Sequence, residues 1–570
     1  MLSANLHLPQ GRQVIAVRIL RLITYLKMHR THLSQKGVSP MDIRNIACLL
    51  VFFATAHAAF AQNTGQQASL RLDLLPGESW WGGAVTLGSK MPYGETPIEI
   101  DLHGDNRGNQ YAPLLISSKG RYLWSDKAFA FAFKDHVLHV TASGGAPVVS
   151  KHAGASLRDA FRAAAQAHFP SDGKLPDTAL FAAPQYNTWI ELMYDQNQKD
   201  VLKYAHAIVD NGLPPGVLMI DDNWQEDYGK WNFHPGRFSD PKAMLDELHA
   251  LGFKVMLWVC PFVSADCDVY RALAKEKAFF MEKPGDPAMV TWWNGKSAML
   301  DLSNPTAKTW FTDELVRLQK TYGVDGYKLD AGDTTFYKDC YLAFEKLGVD
   351  EHAGRFGEIG LAFPLNEYRA CWKLAGRPLV QRLRDKNHNW NDLGKLIPDL
   401  IAAGLLGYPF VCPDMIGGGE FQSFLDLKAI DQDLVVRSAQ THALAPMMQF
   451  SVAPWRVLDA GHLDAVRKAV ALRMRFTPRI LELAKASAAS GEPVLRPMAY
   501  VFPDGGYEKV NDQFMMGDDL LVAPMVKKGA TRTVLVPKGK WKADDGKSVE
   551  GPCVITLDVP LSRLPFFERQ

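Results

Sequence analysis

Acidic residues stand where short apolar runs stop. Residues 216–220 run into Asp221 and Asp222, 298–302 contain Asp301, and 324–329 end on Asp330. Asp385 follows 379–383, and Asp414 follows 408–411. If these runs are parallel strands of a barrel, residues at their carboxyl ends face the active site. Asp330 is then placed to attack an anomeric carbon, and Gly332 lets the backbone turn away from the sugar. A lone Asp at such a place is as readily a helix cap. A rim that repeats the feature points instead to a pair of carboxyl groups working on one bond. Glycosidic cleavage needs that pair, one carboxylate as nucleophile and one carboxylic acid to protonate the leaving oxygen. Arg369, Trp292, Trp293 and Trp455 lie on or near the connecting segments and suit hydroxyl-rich rings.

The elements that must position these residues follow a strand-then-helix rhythm from about residue 180. Helices are predicted at 241–251, 306–322, 365–374, 393–406 and 427–444, and strands at 216–220, 254–259, 298–302, 324–329, 379–383, 408–411 and 447–452. That alternation predicts an α/β fold, a (β/α)8 TIM barrel. A doubly wound sheet is the rival, but no GxGxxG follows the first strand. Before the barrel, alternating runs at 69–74, 98–102 and 137–141 predict a β-sandwich, whose loops 109–113 and 117–124 could reach a neighbouring cleft. A helix over 157–168 and a linker at 169–176 follow. After a helix ending near Ser490, strands are expected at 513–516, 520–523, 533–536 and 554–557, with a turn at 537–539. The divisions expected are an N-terminal signal region (1–61), a β-sandwich domain (62–175), a catalytic barrel (176–490) and a C-terminal β-sandwich domain (491–570).

Composition excludes several classes. Sixty-three basic residues balance 62 acidic ones among 570, which argues against nucleic acid or an anionic membrane surface as partner. The 47% apolar and 11% aromatic fractions are those of a chain with large cores. Residues 41–45 form a charged segment, 46–60 an apolar run too short to span a membrane, and Ala59-Phe60-Ala61 a small-x-small cleavage pattern. The expectation is an exported protein, periplasmic or secreted, whose true start is Met41. The seven cysteines show no CxxC or disulfide framework, and no His-x-x-x-His occurs, so neither metal nor cofactor is expected.

From about Trp80 to Phe567 the chain resembles glycoside hydrolase family 31, the retaining α-glycosidases. The most specific match is 512–524, Asp-Gln-Phe-Met-Met-Gly-Asp-Asp-Leu-Leu-Val-Ala-Pro, followed by 536–541. Within the family the likeness is closest to the myogenesis-regulating glycosidase branch and its bacterial relatives. Lys328-Leu329-Asp330-Ala331-Gly332-Asp333 resembles that branch's nucleophile strand, with Asp333 where Glu is usual; 407–415 and 448–456 also match. The resemblance implies Asp330 as nucleophile and Asp385 as acid/base, sixteen positions after the sugar-binding Arg369. This chain has Arg382-Leu383-Arg384-Asp385 where most of the family has Trp-x-Gly-Asp, and Asp392 is a competitor that reads as a helix cap. The flanking Arg384 and Lys386 would favour ionised Asp385 unless they point away. Asp221, Asp222 and Lys328 would bind the terminal sugar, Trp292 and Trp293 would wall its subsite, and Asp414 would bind or support. The implied activity is removal of terminal α-linked sugars from glycosides or oligosaccharides, leaning to α-galactosides. α-Glucosides, α-xylosides, transglycosylation and binding without catalysis are the alternatives.

Overall fold

A computed structural model describes residues 69–104 and 108–570; the proposed export segment lies outside them. Eight parallel strands make the barrel: β1 (Gln185–Asn187), β2 (Val217–Ile220), β3 (Lys254–Val259), β4 (Gly326–Leu329), β5 (Asn366–Tyr368), β6 (Gln381–Arg382), β7 (Val411–Cys412) and β8 (Gln449–Phe450). They pair in chain order from β1 to β7, and β8 pairs with β1. The Ile416 N–H donates to the Gln449 carbonyl (2.8 Å), which stitches the segment after β7 to β8.

β2 and β3 are continuous apolar runs because parallel strands are covered on both faces. Helices pack outside them: Gln198–Asp210, Pro241–Ala250 and Pro305–Tyr322 in the first half, Leu396–Leu405, Gln432–Ala443 and Ala460–Ser490 in the second. Their ends follow local chemistry. Asp240 and Asn304 cap helices that open on Pro241 and Pro305, and Gly323 closes the latter at φ +87°.

The sequence expectation fails at four places. Residues 365–374, read as a helix, contain β5 instead. Leu365, Tyr368 and Trp372 have helical spacing, but Asn366 and Glu367 are buried polar residues of a strand. Residues 298–302, read as a barrel strand, end an antiparallel hairpin (Met289–Trp292 with Gly295–Met299) that also pairs with Phe262–Ser264 above the barrel. β1 was not anticipated, because three residues carry too little pattern. The expected turn at 537–539 is a bulge inside one long strand, Thr531–Ala543.

Two four-stranded antiparallel sheets precede the barrel, around Trp80, Tyr93, Phe129, Phe131 and Phe133. From the loop just before the second sheet's strand Tyr111–Ser117, Asn109 Nδ2 donates to the carbonyls of Arg369 (3.1 Å) and Arg382 (3.0 Å), and Gln110 Nε2 to that of Arg369 (2.6 Å). A six-stranded sheet follows the barrel, and Arg437 ties it back by donating to the Val559 carbonyl (2.6 Å). Among the described residues no helix is long and apolar enough to cross a membrane, no His/Cys/Asp/Glu group could hold a metal, and every cysteine is unpaired.

Candidate active site

A cavity of about 280 Å³ opens at the carboxyl ends of the strands. Asp330, immediately after β4, is the most constrained group in it. Trp258 Nε1 on β3 donates to its Oδ2 (2.9 Å), and the Ala331 N–H to its Oδ1 (2.9 Å). The chain then turns sharply, with Ala331 at φ +57° and Gly332 at +71°. A Cβ on Gly332 would fall 2.3 Å from the Phe356 ring, so both conformation and space demand glycine there. Burial raises the Asp330 carboxyl, but Lys328, Arg369, Arg382 and the Trp258 bond outweigh it and hold the group below its usual range. It stands as a carboxylate.

Asp221 and Asp222, after β2, form one wall. Lys328 Nζ, almost fully buried, pairs with Asp221 Oδ2 at 2.6 Å. Asp222 accepts from Asn294 Nδ2 (2.7 Å) and the Tyr228 hydroxyl (3.1 Å) but has no cation of its own. Burial, then the charge of Asp221, push it up to about 7.

Asp385 follows β6 and is the more open of the two candidate catalytic carboxyls, its side chain 27% exposed against 11% for Asp330. Arg382 Nη1 donates to its Oδ1 (2.5 Å) and also to Asp414 Oδ1 (3.1 Å). Burial raises Asp385, but Arg382, Arg369 and Lys328 prevail and hold it far below the usual carboxylate range. The neighbours suspected from sequence are not the cause: Lys386 Nζ pairs with Asp399 (3.0 Å), and Arg382 supplies the close cation. Asp414 is wholly buried at φ +66°, and its Oδ2 accepts from the N–H groups of Lys386 (2.8 Å) and Gly419 (3.0 Å). Burial and the Asp385 charge push it up to about 7.

Of the residues singled out from sequence, Asp221, Asp222, Trp293, Lys328, Arg369, Asp330 and Asp385 line this cavity together. Arg369 lies 3.9 Å from Asp330 and over the Trp293 ring at 5.1 Å. Asp333 pairs with Arg369 at 3.3 Å. Three expectations need correcting. Trp292 is not wall but backing: it is buried between Trp258, Phe262 and Tyr228 because its strand turns it inward. Asp301 is off the rim and binds Ser303 and the Phe344 N–H. Trp455 packs on Tyr204. Asp414, expected to bind or support, does not line the cavity and supports it through Arg382 and the Gly419 N–H. Asp392 sits in a short helix capped by Asn389 and bonds Asn387 and Lys395, away from the cavity.

Sequence reasoning missed Trp189, Tyr194, Trp258, Arg382, Met415 and the 419–422 loop, all of which line the cavity. The Gly417-Gly418-Gly419 run after Asp414 was a usable signal for close approach. A Cβ on Gly419 would lie 2.6 Å from Asp414 Oδ1 and 2.7 Å from Asp385 Oδ1. A loop of the N-terminal domain, at Asn109, supports the backbones of Arg369 and Arg382, and no described residue of that domain lines the cavity.

Known proteins bear on this geometry. Residues 178–357 match the glycosyl hydrolases family 31 TIM-barrel domain, and 491–570 the glycosyl hydrolase family 31 C-terminal domain. Myogenesis-regulating glycosidase of Mus musculus is 33% identical over 407 residues, covering 69% of this chain and 57% of the relative. An α-glucosidase of Saccharolobus solfataricus is 25% identical, covering 64% of this chain and 60% of its own. The chain thus spans under two thirds of the length of these relatives. The fold is similar to that of a Flavobacterium johnsoniae family 31 dextranase complexed with glucose, with TM-score 0.79 and 18% identity over 89% of this chain and 67% of that one. By its two matched domains and its 33% identical relative, the chain belongs to glycoside hydrolase family 31.

Proposed function

We propose that the protein is an exported, retaining exo-α-glycosidase that removes a terminal α-linked sugar, with α-galactosides the first substrates to try. The observation that carries this reading is that Asp330, after β4, and Asp385, after β6, line one cavity together with Arg369, which lies 3.9 Å from Asp330. The cavity volume lies near the lower bound of roughly 300 Å³ for small-ligand sites, which suits one sugar ring rather than a cleft for a long chain.

In this scheme the Asp330 carboxylate attacks C1 while Asp385, protonated, gives its proton to the leaving oxygen. The C1–O bond breaks as an ester to Asp330 forms. Asp385 then takes a proton from water, the remaining hydroxide adds to C1, and Asp330 leaves as carboxylate with the anomeric configuration retained. Asp221, Asp222, Lys328 and Arg369 grip hydroxyls of the ring, and Trp293 offers its exposed face.

Preference for α-galactosides rests on the branch resemblance. α-Glucosides come next, supported by the α-glucosidase relative. Export rests on the 41–61 segment. Aryl α- and β-glycosides of galactose, glucose and xylose offered to the purified protein test the reading. Release from an α-glycoside with an α-configured first product supports it; sugar binding without turnover of any α-glycoside contradicts it.

A further inference from the structure

The residue that bonds Asp385 most closely is Arg382, three positions before it at the end of β6, and its own bonding is unbalanced. Arg382 presents Nη1 to three acceptors, Asp385 Oδ1, Asp414 Oδ1 and the Leu383 carbonyl (3.3 Å). Its Nε–H, fully buried, makes no hydrogen bond. Glu367 Oε1 on β5 is also buried and unbonded, and the two atoms are 3.4 Å apart. Glu367 is held in place by Gln449 Nε2 (2.8 Å) on its other oxygen. An unmade hydrogen bond thus waits behind Arg382 while its front is overloaded, at a depth where an unsatisfied buried group costs free energy.

We propose that Arg382 is a movable counter-cation for the acid/base: it grips Asp385 while that group is a carboxylate and draws back onto Asp414 and Glu367 when Asp385 carries the proton for the leaving oxygen. The inference rests on Asp385 being the acid/base. Other charges face this group: Arg369 and Lys328 also favour ionised Asp385, while Asp330 and Glu367 face Arg382 from β4 and β5, and Lys386 faces Asp414. Protonating Asp385 removes one partner of Arg382, and the two remaining carboxylates then compete for its charge without opposition. When the proton leaves, the negative charge on Asp385 recovers the guanidinium. Asp414 is therefore a positioning residue that acts through Arg382. As a like charge beside Asp385 it also opposes loss of the acid proton.

Asp414→Asn tests this with little disturbance, because Asn keeps an acceptor for the backbone donors and tolerates the left-handed backbone at this position. Without the Asp414 charge, Arg382 stays on Asp385 and the acid is easier to ionise. The limb of the kcat/KM profile that falls with rising pH moves down by about one unit, and above it turnover of phenyl α-galactoside falls about tenfold. p-Nitrophenyl α-galactoside, whose leaving group needs less acid help, loses markedly less; the α-glucoside pair serves if those are the sugars cleaved. Arg382→Gln, if it folds, moves the same limb upward. An unmoved or upward-moving limb in Asp414→Asn, with the fold intact by circular dichroism, overturns the proposal. Asp385→Ala separates the two layers. Loss spread evenly over both leaving groups, without rescue by azide, removes the acid/base assignment itself. Selective loss with azide rescue keeps that assignment and leaves the Asp414→Asn profile to decide the role of Arg382.

Discussion

Asp330 and Asp385 face one hollow, yet the barrel holds them differently. β4 delivers Asp330 on a four-residue strand beside the long β3, with an indole N–H on one oxygen and its own backbone turn on the other. Asp385 hangs three residues beyond a two-residue strand and is held by a single side chain that a second carboxylate also claims. A nucleophile gains from fixed placement, since attack depends on position within fractions of an ångström. A group that must lose and regain a proton in every turnover gains from a partner it can exchange. The contrast teaches that rigidity is distributed by role within one site.

The largest expected effect lies on the rigid side. Asp330→Ala should lower kcat on an aryl α-galactoside or α-glucoside by at least about 10⁴-fold, as for loss of a nucleophile elsewhere; a loss of only about tenfold would deny Asp330 the nucleophile's role and break the comparison. Asp385→Ala comes next, with about 10²–10⁴-fold loss on substrates with poor leaving groups and recovery in azide as the α-glycosyl azide, read by NMR. Trp258→Phe removes one donor from Asp330 and should cost about tenfold in kcat/KM, the worth of one hydrogen bond to a charged group. The same change lets burial raise the Asp330 carboxyl, so the acidic limb of the profile moves to higher pH; movement of the alkaline limb instead would assign the bond to the wrong carboxyl.

The smallest effect concerns the wall. Asp222 is pushed up to about 7 by burial and Asp221, so its folded pKa exceeds the unfolded value. Its cost to stability is absent below the unfolded pKa, grows as pH rises, and is complete above the folded pKa. Asp222→Asn should therefore raise Tm at a pH near 8 and leave it nearly unchanged near pH 4, by scanning calorimetry. A rise of equal size at both pH values would mean that its carboxyl is not under strain.

The same contrast governs how much could be read from the chain. β2 and β3 are mostly apolar runs, and β2 and β4 are each followed directly by an acidic residue, so the strand ends pointed to Asp221, Asp222 and Asp330 from pattern alone. β5 to β8 are two or three residues long, and three of them bury Glu367, Arg382 and Gln449, where Gln449 bonds Glu367, Glu367 faces Arg382 at 3.4 Å and Arg382 bonds Asp385. Such strands show neither alternation nor an apolar run, so 365–374 read as a helix and Arg382 passed as a departure from a motif. Asp385 was found through its spacing from Arg369 and the family resemblance. Trp258, Trp189 and the 419–422 loop meet the cavity through packing between distant segments, which no local pattern records. Trp292 and Trp293 show the limit most plainly, since Trp292 ends its strand and packs inward while Trp293 stands exposed in the turn that follows.

The central claim is that Asp330 forms the covalent bond to the sugar. A 5-fluoro-α-galactosyl fluoride, or its gluco counterpart, should form a slowly hydrolysed ester whose peptic digest carries one added glycosyl mass on the peptide containing Asp330. A label on Asp333 or Asp385, or none at all while α-glycosides are hydrolysed to β-configured sugar, would contradict the account.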